Sequence, residues 1–254
     1  MYCIFELSKK SRMNLTIDIG NTRVKAAVFE QDTLLNLYVF NKSGIISEVK
    51  KILKKHKISK SIVASVSSIS PKKLENLQKI VNFSLVSSDI KTPFKNLYGT
   101  PQTLGVDRLA LVFGAVVKYP KKNVLIIDAG TCITFDFVNN DSEYLGGAIS
   151  PGIEMRYKSL NKFTSKLPLL NLSKPTHFIG NSTIESINSG VVNGVIQEIE
   201  GVINQYKKKY LDLTVVLTGG DTNFLANQLK SSIFANQNFL LEGLNEILNY
   251  NNNK

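Results

Sequence analysis

Apolar and polar positions along the chain fall into two passages of the same form. In the first, Asn14–Asp18, Lys25–Phe29 and Leu34–Phe40 are short β-type runs separated by Gly20-Asn21 and Gln31-Asp32 turns, which predicts a three-stranded meander. Val49, Ile52 and Leu53 recur at helical spacing and predict a helix over Ser47–Lys57; Ser61–Ser65 reads as a strand. Pro71–Val81 reads as a helix with proline at its start, where a missing N–H costs little. The second passage repeats the meander with Asn123–Asp128, Thr134–Val138 and Tyr144–Ile149. Helices are expected over Pro151–Phe163, Ser182–Tyr210, Thr222–Leu229 and Leu240–Leu248, with a buried strand at Leu213–Leu217. Gly190, Gly194 and Gly201 in the long helical stretch put its continuity in question but permit close helix packing. Between the passages lie a turn-rich segment, Lys91–Leu104, and a helix over Asp107–Tyr119 ended by Pro120. The pattern predicts an α/β chain in two related halves, 13–120 and 121–254, each a mixed sheet flanked by helices; a five-stranded sheet is expected in each, of which the pattern locates four strands.

Bulk properties change this picture little. A chain of 254 residues buries roughly three quarters of its unfolded surface, enough for a proper core. No apolar run reaches the roughly 18 residues of a membrane span, and no membrane partner is expected. The net charge of +11 raises the question of nucleic acid. The lysines, however, are spread over Lys50–Lys60, Lys72–Lys73, Lys121–Lys122 and Lys207–Lys209 without interleaved aromatics, so they read as solvated helix faces and no nucleic-acid partner is expected. Cys3 and Cys132 offer neither a disulfide framework nor a metal set, and suit a reducing cytoplasm. Cys132 reads as a small buried apolar residue. Met1–Arg12 carries its charges after a very short apolar stretch, unlike a signal peptide. It is expected to be a disordered or spurious extension ahead of a start at Met13.

The turns of the two meanders carry the first chemistry. Asp18–Lys25, DIGNTRVK, returns in altered form at Asp128–Thr134, DAGTCIT. Each copy puts a carboxylate, a flexible backbone and a small polar side chain at one tight hairpin. Gly20 lets the backbone approach a phosphate, and the N–H groups around Gly20–Arg23 can form an anion nest. Asp18 can hold Mg²⁺ directly or through water, since hard cations prefer oxygen ligands. A lone Asp-x-Gly is a common turn. Two at equivalent places suggest two halves closing on one phosphate-bearing ligand, with Thr218-Gly219-Gly220 able to pass close to a nucleotide's base or ribose. The arrangement resembles the actin-like nucleotide-binding superfamily, also called ribonuclease-H-like, which leaves the substrate open.

The segment Tyr98–Arg108, YGTPQTLGVDR, narrows the acceptor. Gly105 lets the chain turn into a helix, Asp107 sits in its first turn, and Arg108 can grip a carboxylate in bidentate fashion. An Asp beside an Arg is otherwise most often a capped helix start with a surface ion pair. Together with IIDAGTCITFDFV, GGAISPG at 146–152, Leu160, Thr164, Leu167-Pro168, GNST at 180–183 and TGGD at 218–221, the chain is identified as resembling the type III pantothenate kinases from Met13 to about Leu248.

That resemblance implies ATP-dependent phosphorylation of pantothenate to 4′-phosphopantothenate, the first step of coenzyme A biosynthesis. It assigns ATP to Asp18, Ile19, Gly20, Asn21, Thr22, Arg23, Val24, Lys25 and Thr131. It makes Asp107 the general base, and Tyr98, Gly105, Val106, Asp107, Arg108 and Thr183 the pantothenate-binding residues. Asp128 falls on the site of a monovalent cation, K⁺ or NH₄⁺, with Mg²⁺ as the divalent cofactor. A cytoplasmic homodimer whose active site lies near the interface is implied as well, with Thr183 reaching across it. Two alternatives stay open: another small-molecule kinase or phosphatase of the superfamily, and a kinase-like regulator without activity.

Overall fold

The computed structural model describes residues 13–65 and 70–252. The expected extension Met1–Arg12 lies outside the described residues. The chain divides into two compact units, Met1–Ser87 with Leu244–Lys254, and Ser88–Gly243.

The first unit is built on β1 (Met13–Ile19), β2 (Val24–Glu30), β3 (Thr33–Phe40), α1 (Ile45–Lys55), β4 (Ile58–Ser65), α2 (Pro71–Gln78) and β5 (Ser84–Leu85). Its sheet runs β3-β2-β1-β4-β5, antiparallel through the meander and parallel from β1 to β4 and β5. Strand alternation explains the two faces. Leu15, Ile17 and Ile19 pack with Ile45, Val49 and Ile52 of α1 and Leu77 of α2. Asn14, Thr16 and Asp18 point the other way and are buried despite their polarity. Asn14 Nδ2 donates to Asn245 Oδ1 at 2.8 Å and to Asn249 Oδ1 at 2.9 Å, both on α7 (Phe239–Asn252), and Asn245 Nδ2 donates to the Gln31 carbonyl. Asn14 is tolerated on this buried face because its amide is paired, whereas the Thr16 hydroxyl has no hydrogen-bond partner among the described residues.

The second unit contains β6 (Lys95–Asn96), α3 (Val106–Lys118), β7 (Asn123–Ala129), β8 (Cys132–Val138), β9 (Glu143–Pro151), α4 (Ile153–Lys162), α5 (Thr183–Lys209), β10 (Leu213–Thr218), α6 (Thr222–Ala226) and β11 (Phe234–Ala235). The sheet order is β11-β10-β7-β8-β9-β6. It has six strands where five are expected. The sixth forms because Lys95 N and Leu97 N donate to the carbonyls of Ser142 and Tyr144 on the open edge beside β9. Leu125, Ile127, Phe135 and Phe137 pack under Val191, Val195 and Ile199 of α5. On the opposite face Val124, Ile126 and Val216 meet Leu111 and Ala115 of α3 and Phe239 of α7.

The compact units part elsewhere than the repeated meander does. α3 is expected with the first half, yet it packs on β7 and β8 and so groups with the second unit. α5 is continuous through Gly190, Gly194 and Gly201, and a Cβ at any of the three would meet nothing within 4 Å, so none serves close packing here. Gly243 does: its Cβ would lie 2.1 Å from the Ala110 carbonyl oxygen, and Gly114 faces it from α3. Cys132, expected buried, is half-exposed at the start of β8. Among the described residues no helix is long and apolar enough to cross a membrane.

Candidate active site

Asp18 stands at the carboxyl end of β1, buried, and pairs directly across the hairpin with Lys25. Gly20 N donates to the Arg23 carbonyl at 3.1 Å and closes the loop, leaving Asn21, Thr22 and Arg23 exposed. Ile19 and Val24, the next pair in register, are fully buried and anchor the loop to the sheet. The result is a short, solvent-facing turn with a carboxylate at its root. Such a turn suits a phosphate and a hard cation.

The second hairpin is more crowded. Gly130 N donates to the Cys132 carbonyl at 2.9 Å, and Thr131 at its tip is exposed. Two glycines from distant segments press against it. Gly152 N donates to the Thr131 carbonyl, and a Cβ on Gly152 would lie 2.0 Å from the Gly130 carbonyl oxygen. Gly219 has φ +100°, and a Cβ there would fall 2.4 Å from Asp128 Oδ1. The Asp221 N–H donates to the Ala129 carbonyl at 2.9 Å. Burial, together with the charge of Glu154, pushes the Asp221 carboxyl up to about 6. DAGT, SPG and TGGD therefore meet at one loop, a convergence that spacing alone does not show.

Asp128 lies in register between Thr134 of β8 and Thr218 of β10. The hydroxyl oxygens of both threonines are buried without a hydrogen-bond partner among the described residues. A single carboxylate flanked by two such oxygens is a hard, singly charged donor set, which fits a monovalent cation.

The third cluster lies at the start of α3. Asp107 is half-buried in the first helical turn, with Arg108 N donating to its Oδ1 at 2.7 Å. Burial raises its pKa above the ordinary value, and the charge of Asp136 adds to this against the Arg108 hydrogen bond. A Cβ on Gly105 would sit 2.4 Å from Asp107 Oδ1, so glycine keeps that space clear. Arg108 is only 5% exposed. Its partner is no surface acid but Asp136, fully buried on β8: Nε donates to Oδ1 at 2.9 Å and Nη2 approaches the same oxygen at 2.7 Å. Burial works against the Arg108 charge, but the hydrogen bond and charge of Asp136 hold its pKa above the usual value. Tyr98 stacks on Tyr144 with ring centroids 6.0 Å apart, and the Arg108 guanidinium lies 5.4 Å from the Tyr98 centroid.

The structure thus brings Tyr98, Gly105, Val106, Asp107 and Arg108 together. Thr183 lies apart from them in sequence, at the first position of α5, exposed and lining a cleft of about 910 Å³ with Arg156 and Leu160. Its helix is capped by Ser182, which accepts from Glu185 N, while Glu185 accepts from Asn181 N. Sequence reasoning passed over Asp136 and Tyr144. The available signal was a charged residue inside the apolar strand TFDFV, because a buried charge calls for a partner.

A family model described as type III pantothenate kinase matches residues 14–205. A protein of that name from Christiangramia forsetii is 53% identical over 242 residues, covering 94% of this chain and 99% of the relative. One from Flavobacterium johnsoniae is 47% identical over 239 residues, covering 94% and 98%. Among solved structures, a Campylobacter jejuni protein described as a conserved putative Baf family transcriptional activator superposes with TM-score 0.64 at 24% identity, covering 94% of this chain and 100% of its own. The activator of 2-hydroxyisocaproyl-CoA dehydratase from Clostridium difficile, with bound ADPNP, gives TM-score 0.54 at 14% identity, covering 94% of each chain. At these identities the structures speak for the fold alone.

Proposed function

Because the chain belongs to the type III pantothenate kinases, a family on the actin-like ATPase fold, we propose that Asp107 is the general base of its reaction. The enzyme phosphorylates pantothenate at the expense of ATP. The primary hydroxyl oxygen of pantothenate attacks the γ-phosphorus, its proton passes to the Asp107 carboxylate, and the bond to the β–γ bridging oxygen breaks to release ADP. One observation supports this choice of base. Asp107 is a carboxyl of raised proton affinity in the first turn of α3, with its space kept clear by Gly105.

Around it, Tyr98, Gly105, Val106 and Arg108 bind pantothenate, and Thr183 does so across a homodimer interface. Residues Asp18, Ile19, Gly20, Asn21, Thr22, Arg23, Val24 and Lys25 hold the ATP phosphates, and Thr131 contacts ATP. Asp18 holds Mg²⁺. Asp128, with the hydroxyls of Thr134 and Thr218 beside it, holds K⁺ or NH₄⁺. When bound, these ions supply counter-charge to the phosphates. The enzyme works in the cytoplasm.

ADP release from purified protein with Mg·ATP and potassium, with and without pantothenate, tests the reading. Pantothenate-dependent turnover that falls when potassium is omitted is expected. Asp107→Asn should lower kcat by about 10²–10⁴-fold with ATP still bound. The base acts only when ionised, and its pKa is raised. Activity is therefore lost as pH falls through an acid limb above the ordinary carboxylate value of about 4. A folded enzyme with no pantothenate-dependent turnover, or an Asn variant at full rate, overturns the assignment.

A further inference from the structure

Asp136 is a hub of the second unit that the reaction as described does not use. One oxygen, Oδ1, carries all of its described contacts. It accepts from Arg108 Nε at 2.9 Å and from the Tyr144 hydroxyl at 2.7 Å, and lies 2.7 Å from Arg108 Nη2. Oδ2 is buried and has no partner among the described residues. Tyr144 is fully buried and forms the platform on which Tyr98 stacks, while the Arg108 guanidinium covers the Tyr98 ring. Burial and the charge of Asp136 keep the Tyr144 hydroxyl protonated well above the usual tyrosine value, so it remains a donor.

We propose that Asp136 is the positioning residue of the pantothenate site, fixing the orientation of Arg108 and the Tyr98–Tyr144 stack through a single carboxylate oxygen. This rests on the reading that Tyr98 and Arg108 bind pantothenate and Asp107 is the base. The physical argument is one of commitment. A guanidinium free to rotate grips any carboxylate it meets. One held along its Nε edge by a buried acid has a fixed plane and presents only its remaining N–H groups. Reacting groups displaced by about 1 Å cost on the order of 100-fold in rate, so an anchor behind the binding residues matters for turnover.

Asp136 also reaches Asp107 by charge. Among the described residues, the charged groups that act on Asp107 are Arg108 on the same helix and Asp136 from β8. Removing the Asp136 charge withdraws a like charge and leaves the Arg108 charge uncompensated. The lost repulsion lowers the proton affinity of Asp107, so the acid limb of the rate profile moves to lower pH.

Because Oδ2 has no partner among the described residues, Asp136→Asn can keep the Oδ1 contacts while it removes the charge and places an amide N–H2 where Oδ2 was. It should shift the acid limb of kcat/KM downward. Asp136→Ala deletes both, and should raise the KM for pantothenate about 10–100-fold with the KM for ATP changed less than about twofold. Should the buried arginine prevent either variant from folding, Tyr144→Phe keeps the ring stack and every charge while removing one hydrogen bond. It should raise the pantothenate KM about threefold or more with the acid limb unmoved. Wild-type enzyme without pantothenate-dependent turnover overturns the underlying reading and this proposal together. Normal wild-type turnover, with pantothenate KM and acid limb unchanged in the folded variants, overturns the role of Asp136 alone.

Discussion

Gly105 shows how a residue without a side chain governs one that has chemistry. Its φ of −58° is open to any residue, so its value lies in the space it leaves. A methyl group there would fall 2.4 Å from Asp107 Oδ1, at the mobile end of a short side chain. Gly105→Ala should therefore push the carboxylate aside with little cost to the fold. We expect kcat to fall about 10–100-fold while Tm changes by less than about 2 °C, read by steady-state kinetics beside thermal denaturation. Normal turnover in this variant would show that the carboxylate tolerates displacement. At this scale the sequence was informative wherever chemistry was local. Tyr98, Gly105, Asp107 and Arg108 lie within one short segment and were legible together. Asp136 was not, because its link to Arg108 spans 28 positions and exists only once β8 lies beneath α3. The same holds for the hydroxyls of Thr134 and Thr218, ordinary strand threonines until register sets them on either side of Asp128.

Glycine in a helix has opposite meanings in α5 and α7. Gly201 is exposed and a Cβ there would meet nothing, so Gly201→Ala should stabilise by about 0.5–1 kcal/mol through reduced chain entropy. Gly243→Ala would force a methyl group 2.1 Å from the Ala110 carbonyl oxygen and part α3 from α7, costing about 1–3 kcal/mol. Thermal melts of the two variants should move in opposite directions. A lower Tm for Gly201→Ala would mean that this face of α5 is covered. The hydrophobic rhythm made both helices legible but said nothing of which glycine is a contact. Periodicity records which face is apolar, not how near another backbone comes. The strands β5, β6 and β11 escape the pattern for a similar reason: two residues each, paired to the edge of a sheet by backbone bonds, leave no alternation to read.

For the whole molecule, the repeated meander made the α/β character and both sheets legible, whereas the grouping of α3 depends on packing that no local pattern records. The surface near the start of α5 exposes large apolar side chains. Phe178 and Ile179 are about four-fifths exposed and Ile184 is 54% exposed, beside Thr183. If the proposed homodimer forms there, Ile184→Asp should shift the protein from dimer to monomer in light scattering. It should also raise the pantothenate KM about tenfold or more as Thr183 is withdrawn from the partner's site. A dimer that persists with unchanged KM would place the interface elsewhere. The passage of the chain through its two units has a consequence for biosynthesis. The first unit opens with β1 yet is completed only by the last turns of α7, because Asn14 waits for Asn245, 231 positions later. At ribosomal speeds of about 5–20 residues per second, the nascent sheet spends on the order of 10–50 s with its polar face unmatched. The first unit to emerge from the ribosome is thus the last to finish folding.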